Sequence, residues 1–304
     1  MTPAPDSYAD RLVANGVAIF LFHGVIRPIK TELRNYTRKH LPVDDFVAVL
    51  RSLKARGTPV SMDDVIADRA GRGPLPQHAF VVTFDDGFEN NLTVAAPILA
   101  DEGVPATFYV TTDFIDRNRM SWIDRIEYAV EAVPQGLLRC PWGAASFDEA
   151  PSKRRVLDEI RRHVKSTPAI SPDAFASDVQ RQLGFPEVWS NTHPLDQKLT
   201  WNQVAELAAI PGCTVGGHSH THPILAYLND ADLRYEITTS LRLLHHKAGL
   251  TCRHYSYPEG LEHCFDDRVI GCLKDQGIVC SPTAIDGVNE AGLDLFHLRR
   301  IFVV

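Results

Sequence analysis

The sequence predicts an α/β fold with a parallel sheet, open or closed into a barrel, and a helical insertion. Two observations support this prediction. Short apolar runs alternate with segments of helical period along most of the 304 residues, an order typical of parallel sheets. From about Asp116 to Lys198 the alternation stops, because this stretch is charged and helix-like throughout. With 44% hydrophobic residues, the chain can bury a full core.

Strands are expected where apolar, β-branched and aromatic residues cluster in short runs. These runs are residues 17–22, 80–84, 106–110, 213–215, 255–257, 278–280 and 298–304. Residues 44–56 and 231–247 place apolar side chains on one face of a helix. Asn229 or Asp230 offers a capping oxygen ahead of the second helix.

We interpret residues 1–304 as a single domain and residues 116–198 as a helical insertion into it, not as a separate domain. Proline and glycine separate three helix-like pieces within the insertion. The sequence leaves open whether the insertion covers a site or mediates self-association into a homo-oligomer.

Composition excludes several classes of protein. The net charge is −7 and no basic block stands out, which argues against nucleic acid as a partner. The N-terminus lacks a cationic start followed by a long apolar stretch, so we expect a cytoplasmic protein without a membrane span. The six cysteines form no CxxC pair, and reduced thiols are expected instead of a zinc ribbon or a redox dithiol.

The first cluster of reactive residues is Thr83-Phe84-Asp85-Asp86-Gly87, at the end of a predicted strand. Ligands of α/β folds bind at the carboxyl ends of strands. Successive side chains there point in different directions, so one carboxylate could bind a metal while its neighbour faces a substrate. Taken alone, the cluster is more typical of a turn with solvated acids.

The second cluster holds His218, His220 and His222, after two glycines and before a proline that predict a tight loop. His218 and His222 are four positions apart, and one helix-like turn would put both imidazoles on one side. Imidazoles and a carboxylate suit zinc and other divalent first-row metals. Three protein ligands leave a position open for water, the catalytic pattern. We expect His220 to face away or to support the ligands.

The third cluster is the segment RHYSYPEG, a strand that ends in a turn. The backbone N–H of Glu259 could stabilise an oxyanion there, and Arg253 could hold a carboxylate. When these residues are taken alone, an ordinary strand and turn is the preferred interpretation.

Together, TFDDG, HSHTHP and RHYSYPEG, in this order, resemble the polysaccharide deacetylase family, also called carbohydrate esterase family 4 or the NodB homology domain. The stretches LFHGV, GVPATFYV, LTWNQV and LRRIFV are also similar to the family, so that the likeness covers most of the chain outside the insertion. The resemblance implies a distorted (β/α)7-type barrel.

The resemblance also implies the roles of four residues in the first two clusters. Asp85 matches the general base of the family, and Asp86, His218 and His222 match its metal ligands. One divalent ion is expected as the cofactor, with Zn²⁺ favoured over Co²⁺, Ni²⁺ or Fe²⁺.

Three further residues match family positions. Arg253 matches the arginine that fixes the base, and Glu259 the backbone oxyanion donor, where the family usually has an aromatic residue. His297 fits the Leu-x-His motif that carries the general acid, although LRRIFV is similar to a branch where that motif is weak or missing. His23 is expected to line the pocket or to pack in the core.

The resemblance implies a metal-dependent N-deacetylase acting on an acetylated amino sugar. Two alternatives stay open: a hydrolase of another C–N bond, such as that of a cyclic ureide or imide, and a catalytically silent carbohydrate-binding protein. Acetate release, ring opening, or sugar binding without turnover would separate the three hypotheses.

Overall fold

The computed structural model describes residues 4–290, 292 and 294–304. In chain order the strands are β1 (Gly16–Phe22), β2 (Gly24–Ile26), β3 (His40–Pro42), β4 (Thr58–Pro59), β5 (Ala79–Phe84), β6 (Ala106–Val110), β7 (Gly136–Cys140), β8 (Gly143–Phe147), β9 (Cys213–Gly217), β10 (Asn289–Glu290) and β11 (Ile301–Phe302). The α-helices are α1 (Pro5–Ala9), α2 (Val43–Arg56), α3 (Met62–Arg69), α4 (Ala96–Glu102), α5 (Thr112–Arg117), α6 (Trp122–Ala132), α7 (Ala150–Ser166), α8 (Pro172–Gln182), α9 (Trp201–Ala209), α10 (Asp230–Ala248) and α11 (Asp267–Asp275).

The chain divides into two compact units. The first comprises residues 1–28, 39–117 and 198–304, and contains the central sheet. In this sheet β5, β6 and β9 follow β1 in space, and all of these pairs are parallel. Parallel pairing brings the carboxyl ends of these strands to the same edge, where the first two clusters of reactive residues follow β5 and β9.

Backbone contacts continue the sheet beyond β9 and back to β1. Gly217 bridges Tyr255 and His254 bridges Cys280, both in parallel. The N–H of Thr283 then donates to the carbonyl of Leu298, and β11 pairs in parallel with β1. The fold prediction is confirmed as an α/β fold with a parallel central sheet, and short irregular contacts take the place of the regular strands predicted at 255–257 and 278–280.

The strongest sequence patterns match the structure closely. The predicted strands at 17–22, 80–84 and 106–110 correspond to β1, β5 and β6, and the predicted helices to α2 and α10. The Asn229 side chain caps α10 by accepting a hydrogen bond from the Asp232 N–H. Large apolar side chains from both faces of the sheet are buried, and Phe20, Phe80, Phe84 and Phe108 belong to one continuous core.

The second unit comprises residues 29–38 and 118–197, and has a core of its own. Helices α6, α7 and α8 confirm the three predicted helical pieces, but the hairpin of β7 and β8 shows that the insertion is not purely helical. Segment 29–38 joins this unit through a buried bidentate pair between Arg34 and Asp196. Glu131 also accepts hydrogen bonds from three consecutive N–H groups of that segment, including Arg34.

Two simpler expectations concern the cysteines and the membrane. None of the six cysteines, all of which lie in the described part of the chain, forms a disulfide bond. Among the described residues, no helix has the length and apolar character needed to cross a bilayer.

Gly217 is expected to be essential for packing at the end of β9. A Cβ atom there would lie 2.6 Å from the buried Tyr255 ring, whereas one at Gly271 in α11 would meet open space. We predict that Gly217→Ala lowers the free energy of unfolding by about 1–3 kcal/mol. Gly271→Ala should raise it by about 0.5–1 kcal/mol, because alanine restricts the unfolded chain and favours the helix. Denaturant titrations of both variants test this prediction. An unchanged free energy of unfolding for Gly217→Ala would show that the Tyr255 ring can move aside.

Candidate metal centre and active site

The candidate site lies where β5 and β9 end. Asp86 follows β5, and His218 and His222 follow β9. One ligand atom from each of these three residues lies within 4.8 Å of the other two. The structure therefore brings together the three residues that the sequence predicted as metal ligands.

Asp86 is buried in a left-handed backbone conformation with φ of 77°. Its Oδ1 atom lies 3.3 Å from His222 Nε2 and 3.7 Å from His218 Nε2, and has no hydrogen-bond partner in the part of the chain that the structure describes. Its Oδ2 atom lies 3.4 Å from Lys39 Nζ. Burial raises the pKa of Asp86, but the charge of Lys39 and the nearby His222 lower it well below its usual range.

His218 is held with one particular nitrogen facing Asp86. Its Nδ1 lies 2.8 Å from the carbonyl oxygen of Ser256, which can only accept, so Nδ1 carries the proton and donates it. Nε2 is then the unprotonated nitrogen with a lone pair for a cation. Burial lowers the pKa of His218, which favours the neutral ring that metal binding needs.

The loop that carries the two histidines is not helical, contrary to the helix-like turn that their spacing suggested. Ser219 and His222 have φ of 62° and 65°, and the Ser219 hydroxyl accepts a hydrogen bond from the His222 N–H. The buried Glu236 of α10 accepts hydrogen bonds from the N–H groups of His220 and Thr221 and from the Thr221 hydroxyl. These bonds offset the cost of the left-handed residues and hold the loop in place.

The imidazole of His220 points away from the ligand set, as expected. Its Nδ1 lies 2.9 Å from the hydroxyl of Thr112, and its ring packs edge-on against Tyr235.

Asp85 forms a second, separate charge centre beside Asp86. Arg300 donates to both of its carboxylate oxygens, from Nη1 to Oδ1 at 2.9 Å and from Nη2 to Oδ2 at 2.7 Å. The Ser256 hydroxyl lies 3.4 Å from Oδ2, and His218 Nε2 lies 3.9 Å from it. Burial raises the pKa of Asp85, but the charge of Arg300 outweighs it, and the net pKa is below the usual value. Asp85 is therefore an ionised carboxylate in a fixed orientation.

The assignment of Arg253 to this carboxylate was wrong. Arg253 is exposed, whereas the fully buried guanidinium on Asp85 belongs to Arg300. The physical reason is the position of Arg253 at the exposed start of the strand-like segment. Side chains alternate along it, so Arg253 is on the face opposite to Ser256, whose hydroxyl contacts Asp85.

Glu259 lies near the ligands, since its charge acts on the pKa of His222. It has a left-handed conformation with φ of 59°, within the turn where the Gly260 N–H donates to the Pro258 carbonyl. The Glu259 side chain therefore lies within electrostatic range of the candidate metal centre. The role of its backbone N–H stays a prediction from the sequence.

His297 and His23, the two other histidines considered for the site, have different surroundings. His297 is 46% exposed and its Nδ1 lies 3.2 Å from Asp294, a surface pair outside the ligand set. His23 follows β1, and the charges of both Asp85 and Asp86 act on it. Burial lowers the pKa of His23 to about 4, so its ring is neutral at neutral pH.

The residues that the sequence interpretation missed are Arg300, Ser256, Glu236 and Lys39. Ser256 stood within the motif RHYSYPEG without a role, although its hydroxyl contacts Asp85 and its carbonyl orients His218. Arg300 stood within the predicted strand at 298–304, directly after Arg299, and no local pattern distinguished the buried arginine from its exposed neighbour.

The donor set fits a divalent ion of the zinc type. One buried carboxylate oxygen without a hydrogen bond faces two imidazole nitrogens, one of which is fixed in the unprotonated form. Two imidazoles and one carboxylate are ligands that leave a coordination position open for catalysis. The neighbouring Asp85 is a carboxylate outside this set and is held by Arg300.

Comparisons with known proteins agree with this geometry. A family model described as polysaccharide deacetylase matches residues 72–280, more than half of the chain. No curated protein sequence matches the chain significantly.

Several solved structures share the fold at low sequence identity. The structure of IcaB from Ammonifex degensii has a TM-score of 0.61 at 18% identity and covers 97% of this chain and 94% of its own. The deacetylase domain of BpsB from Bordetella bronchiseptica has a TM-score of 0.57 at 20% identity and covers 94% of this chain and 95% of its own. A de-N-acetylase from Aggregatibacter actinomycetemcomitans has a TM-score of 0.62 at 17% identity and covers 95% of this chain and 94% of its own.

The ligand set predicts the effect of removing single histidines from one loop. We expect His218→Ala to lower the affinity for Zn²⁺ by more than about 100-fold, since even residues that only support ligands contribute about 10- to 100-fold. His220→Ala is the matched control and should keep the affinity, because its ring faces Thr112 and Tyr235. Metal titration with a competing chelator measures both. Equal losses in the two variants would contradict the assignment.

The two arginines should differ in their contribution to stability. We expect Arg300→Met to lower the free energy of unfolding by about 3–5 kcal/mol, because it leaves Asp85 buried without its counter-charge. Arg253→Met should change it by less than about 0.5 kcal/mol, as an exposed substitution. Denaturant titration of the two variants tests whether Arg300 or Arg253 holds Asp85. A larger loss of unfolding free energy for Arg253→Met than for Arg300→Met would contradict the assignment to Arg300.

Proposed function

Because the chain belongs to the polysaccharide deacetylase family, we propose that it removes the acetyl group from the nitrogen of an acetylated amino sugar and releases acetate. The observation that carries this proposal is the pairing of two centres: Asp86, His218 and His222 around one position, and the ionised Asp85 beside them. The metal-free carboxylate supplies a base, and the ligand set supplies a place for a Lewis acid.

We propose Zn²⁺ as the ion, held by Asp86 Oδ1 and by the Nε2 atoms of His218 and His222. Nitrogen and oxygen donors of this kind also accept Co²⁺, Ni²⁺ or Fe²⁺. When bound, such an ion lowers the pKa of water and polarises an amide carbonyl.

Asp85 is the proposed general base. Arg300 holds both of its oxygens in one orientation and keeps it ionised, so that it can accept a proton from the attacking water. The backbone N–H of Glu259 is the proposed donor to the oxyanion that forms on the amide. Its support is the position of Glu259, close enough to His222 for its charge to act on that ring.

Asp85 is also the proposed source of the proton for the leaving amine. The proton that it takes from the attacking water passes to the nitrogen as the C–N bond breaks, and no second acid is needed. Proton transfer to the amine is required because an amide anion is a poor leaving group. His23, whose ring is neutral at neutral pH, and His297, which pairs with Asp294 at the surface, are not proposed as the acid.

The amino-sugar substrate is proposed from the family and from the site. One of the structurally similar proteins is described as a de-N-acetylase, and the acetyl group is the part of the substrate that the two centres would act on. The cytoplasmic location stays a prediction from the sequence. With it, a nucleotide sugar, a lipid-linked glycan precursor or a small oligosaccharide is the expected substrate class.

The two-centre arrangement predicts that metal binding and turnover can be separated. Asp85→Asn should keep Zn²⁺ while the rate of acetate release from N-acetylglucosamine oligomers falls by about 100-fold or more, because loss of a general base typically costs about 10²–10⁴-fold. His297→Gln is the control and should keep the parent rate. Wild-type turnover by Asp85→Asn would contradict the base assignment, and ring opening of allantoin without acetate release would favour the cyclic-ureide alternative.

A further inference from the structure

Phe302 stands on the strand that carries Arg300 into the site. Ile301 and Val303 are buried in the core around Phe20, whereas Arg300 points the other way, to Asp85. Side chains alternate along a strand, so Phe302 shares the face of Arg300 and not that of Ile301. Phe302 lies two residues beyond Arg300, toward the carboxyl end of the strand, where the site opens.

The neighbour of Phe302 supports this placement. Phe302 pairs in register with Leu21 of β1, and its ring meets the His23 ring edge to face, with 5.4 Å between ring centroids. His23 in turn lies within electrostatic range of Asp85 and Asp86. The Phe302 ring thus contacts a side chain that lies within electrostatic range of both charge centres.

The ring is also unusually accessible for its position. Phe302 is 41% exposed, while the residues on both sides of it in the chain are buried. A single exposed apolar side chain is common on protein surfaces and needs no explanation by itself. An exposed aromatic ring on the inward face of a strand, at the open end of a polar site, is the arrangement in which ligand sites place their apolar contacts.

We propose that the Phe302 ring is a stacking subsite for a pyranose ring next to the acetylated sugar. This inference rests on the proposed deacetylase function and names the part of the substrate that the chain recognises. One face of a pyranose presents C–H groups, which pack on the electron-rich face of an aromatic ring. Phenylalanine offers no hydrogen bond, so the subsite accepts an acetylated or a free amino sugar alike. The substrate then contains at least two linked sugars.

The test compares variants of Phe302 on two substrates. For acetate release from a short N-acetylglucosamine oligomer, Phe302→Ala and Phe302→Leu should raise KM about tenfold with kcat nearly unchanged, as expected for a lost stacking contact. Phe302→Tyr and Phe302→Trp should keep the parent KM. Hydrolysis of nitrophenyl acetate, which has no second sugar, should be the same in all four variants.

Leucine separates stacking from packing, because it keeps an apolar side chain against His23 but has no aromatic face. Leu137→Ala is the control for loss of an exposed apolar side chain, since Leu137 in β7 is 57% exposed, and it should leave KM unchanged. A parent-like KM for Phe302→Ala and Phe302→Leu, or an equal fall in nitrophenyl acetate hydrolysis, would overturn the subsite.

A calorimetric binding measurement distinguishes failure of the proposed function from failure of the proposed subsite. It compares binding of the same oligomer to Asp85→Asn with binding to the double variant that also carries Phe302→Ala. Absence of acetate release by the parent enzyme, together with oligomer binding that Phe302→Ala weakens about tenfold, would reject the deacetylase function and keep the subsite. Acetate release by the parent, together with binding that is insensitive to Phe302, would keep the function and reject the subsite. Absence of both release and binding would reject both.

Discussion

Two adjacent carboxylates are buried at the end of one strand, and the rest of the site is arranged to satisfy their charges separately. A buried carboxylate is costly unless it is paired and hydrogen-bonded. Asp85 meets this requirement through the two-pronged contact with Arg300. Asp86 turns to the other side in a left-handed conformation and faces Lys39 and the two imidazoles. The separation gives one residue to a cation and leaves the other for a substrate.

The separation is supported from two other parts of the chain. Ser256 contacts Asp85 with its hydroxyl and fixes the tautomer of His218 with its carbonyl, so one residue serves both centres. Glu236 holds the loop between the histidines by three hydrogen bonds. These contacts make the positions of the reactive groups a property of the whole parallel sheet and of helix α10, and not of any one motif.

The sequence predicted well what is local and periodic, and poorly what depends on contacts across the chain. Strands such as β5 and β6 are continuous apolar runs. The ligand residues follow β5 and β9, whose carboxyl ends the parallel topology brings to the same edge of the sheet. Arg300 and Asp85 are 215 positions apart, and nothing in the local pattern distinguishes a buried guanidinium from the exposed one of Arg253. The β7–β8 hairpin was missed because its charged neighbours have helical period. The role of segment 29–38 was missed because the Arg34–Asp196 pair spans 162 positions.

The contact of Lys39 with Asp86 has a consequence for the charge of the ligand set. An ammonium group lies beside one oxygen of the carboxylate, while the other oxygen is turned toward the imidazoles. The polypeptide itself therefore balances part of the buried charge and orients the second oxygen. A divalent ion that enters the site meets a carboxylate that is already ionised and already turned toward the histidines.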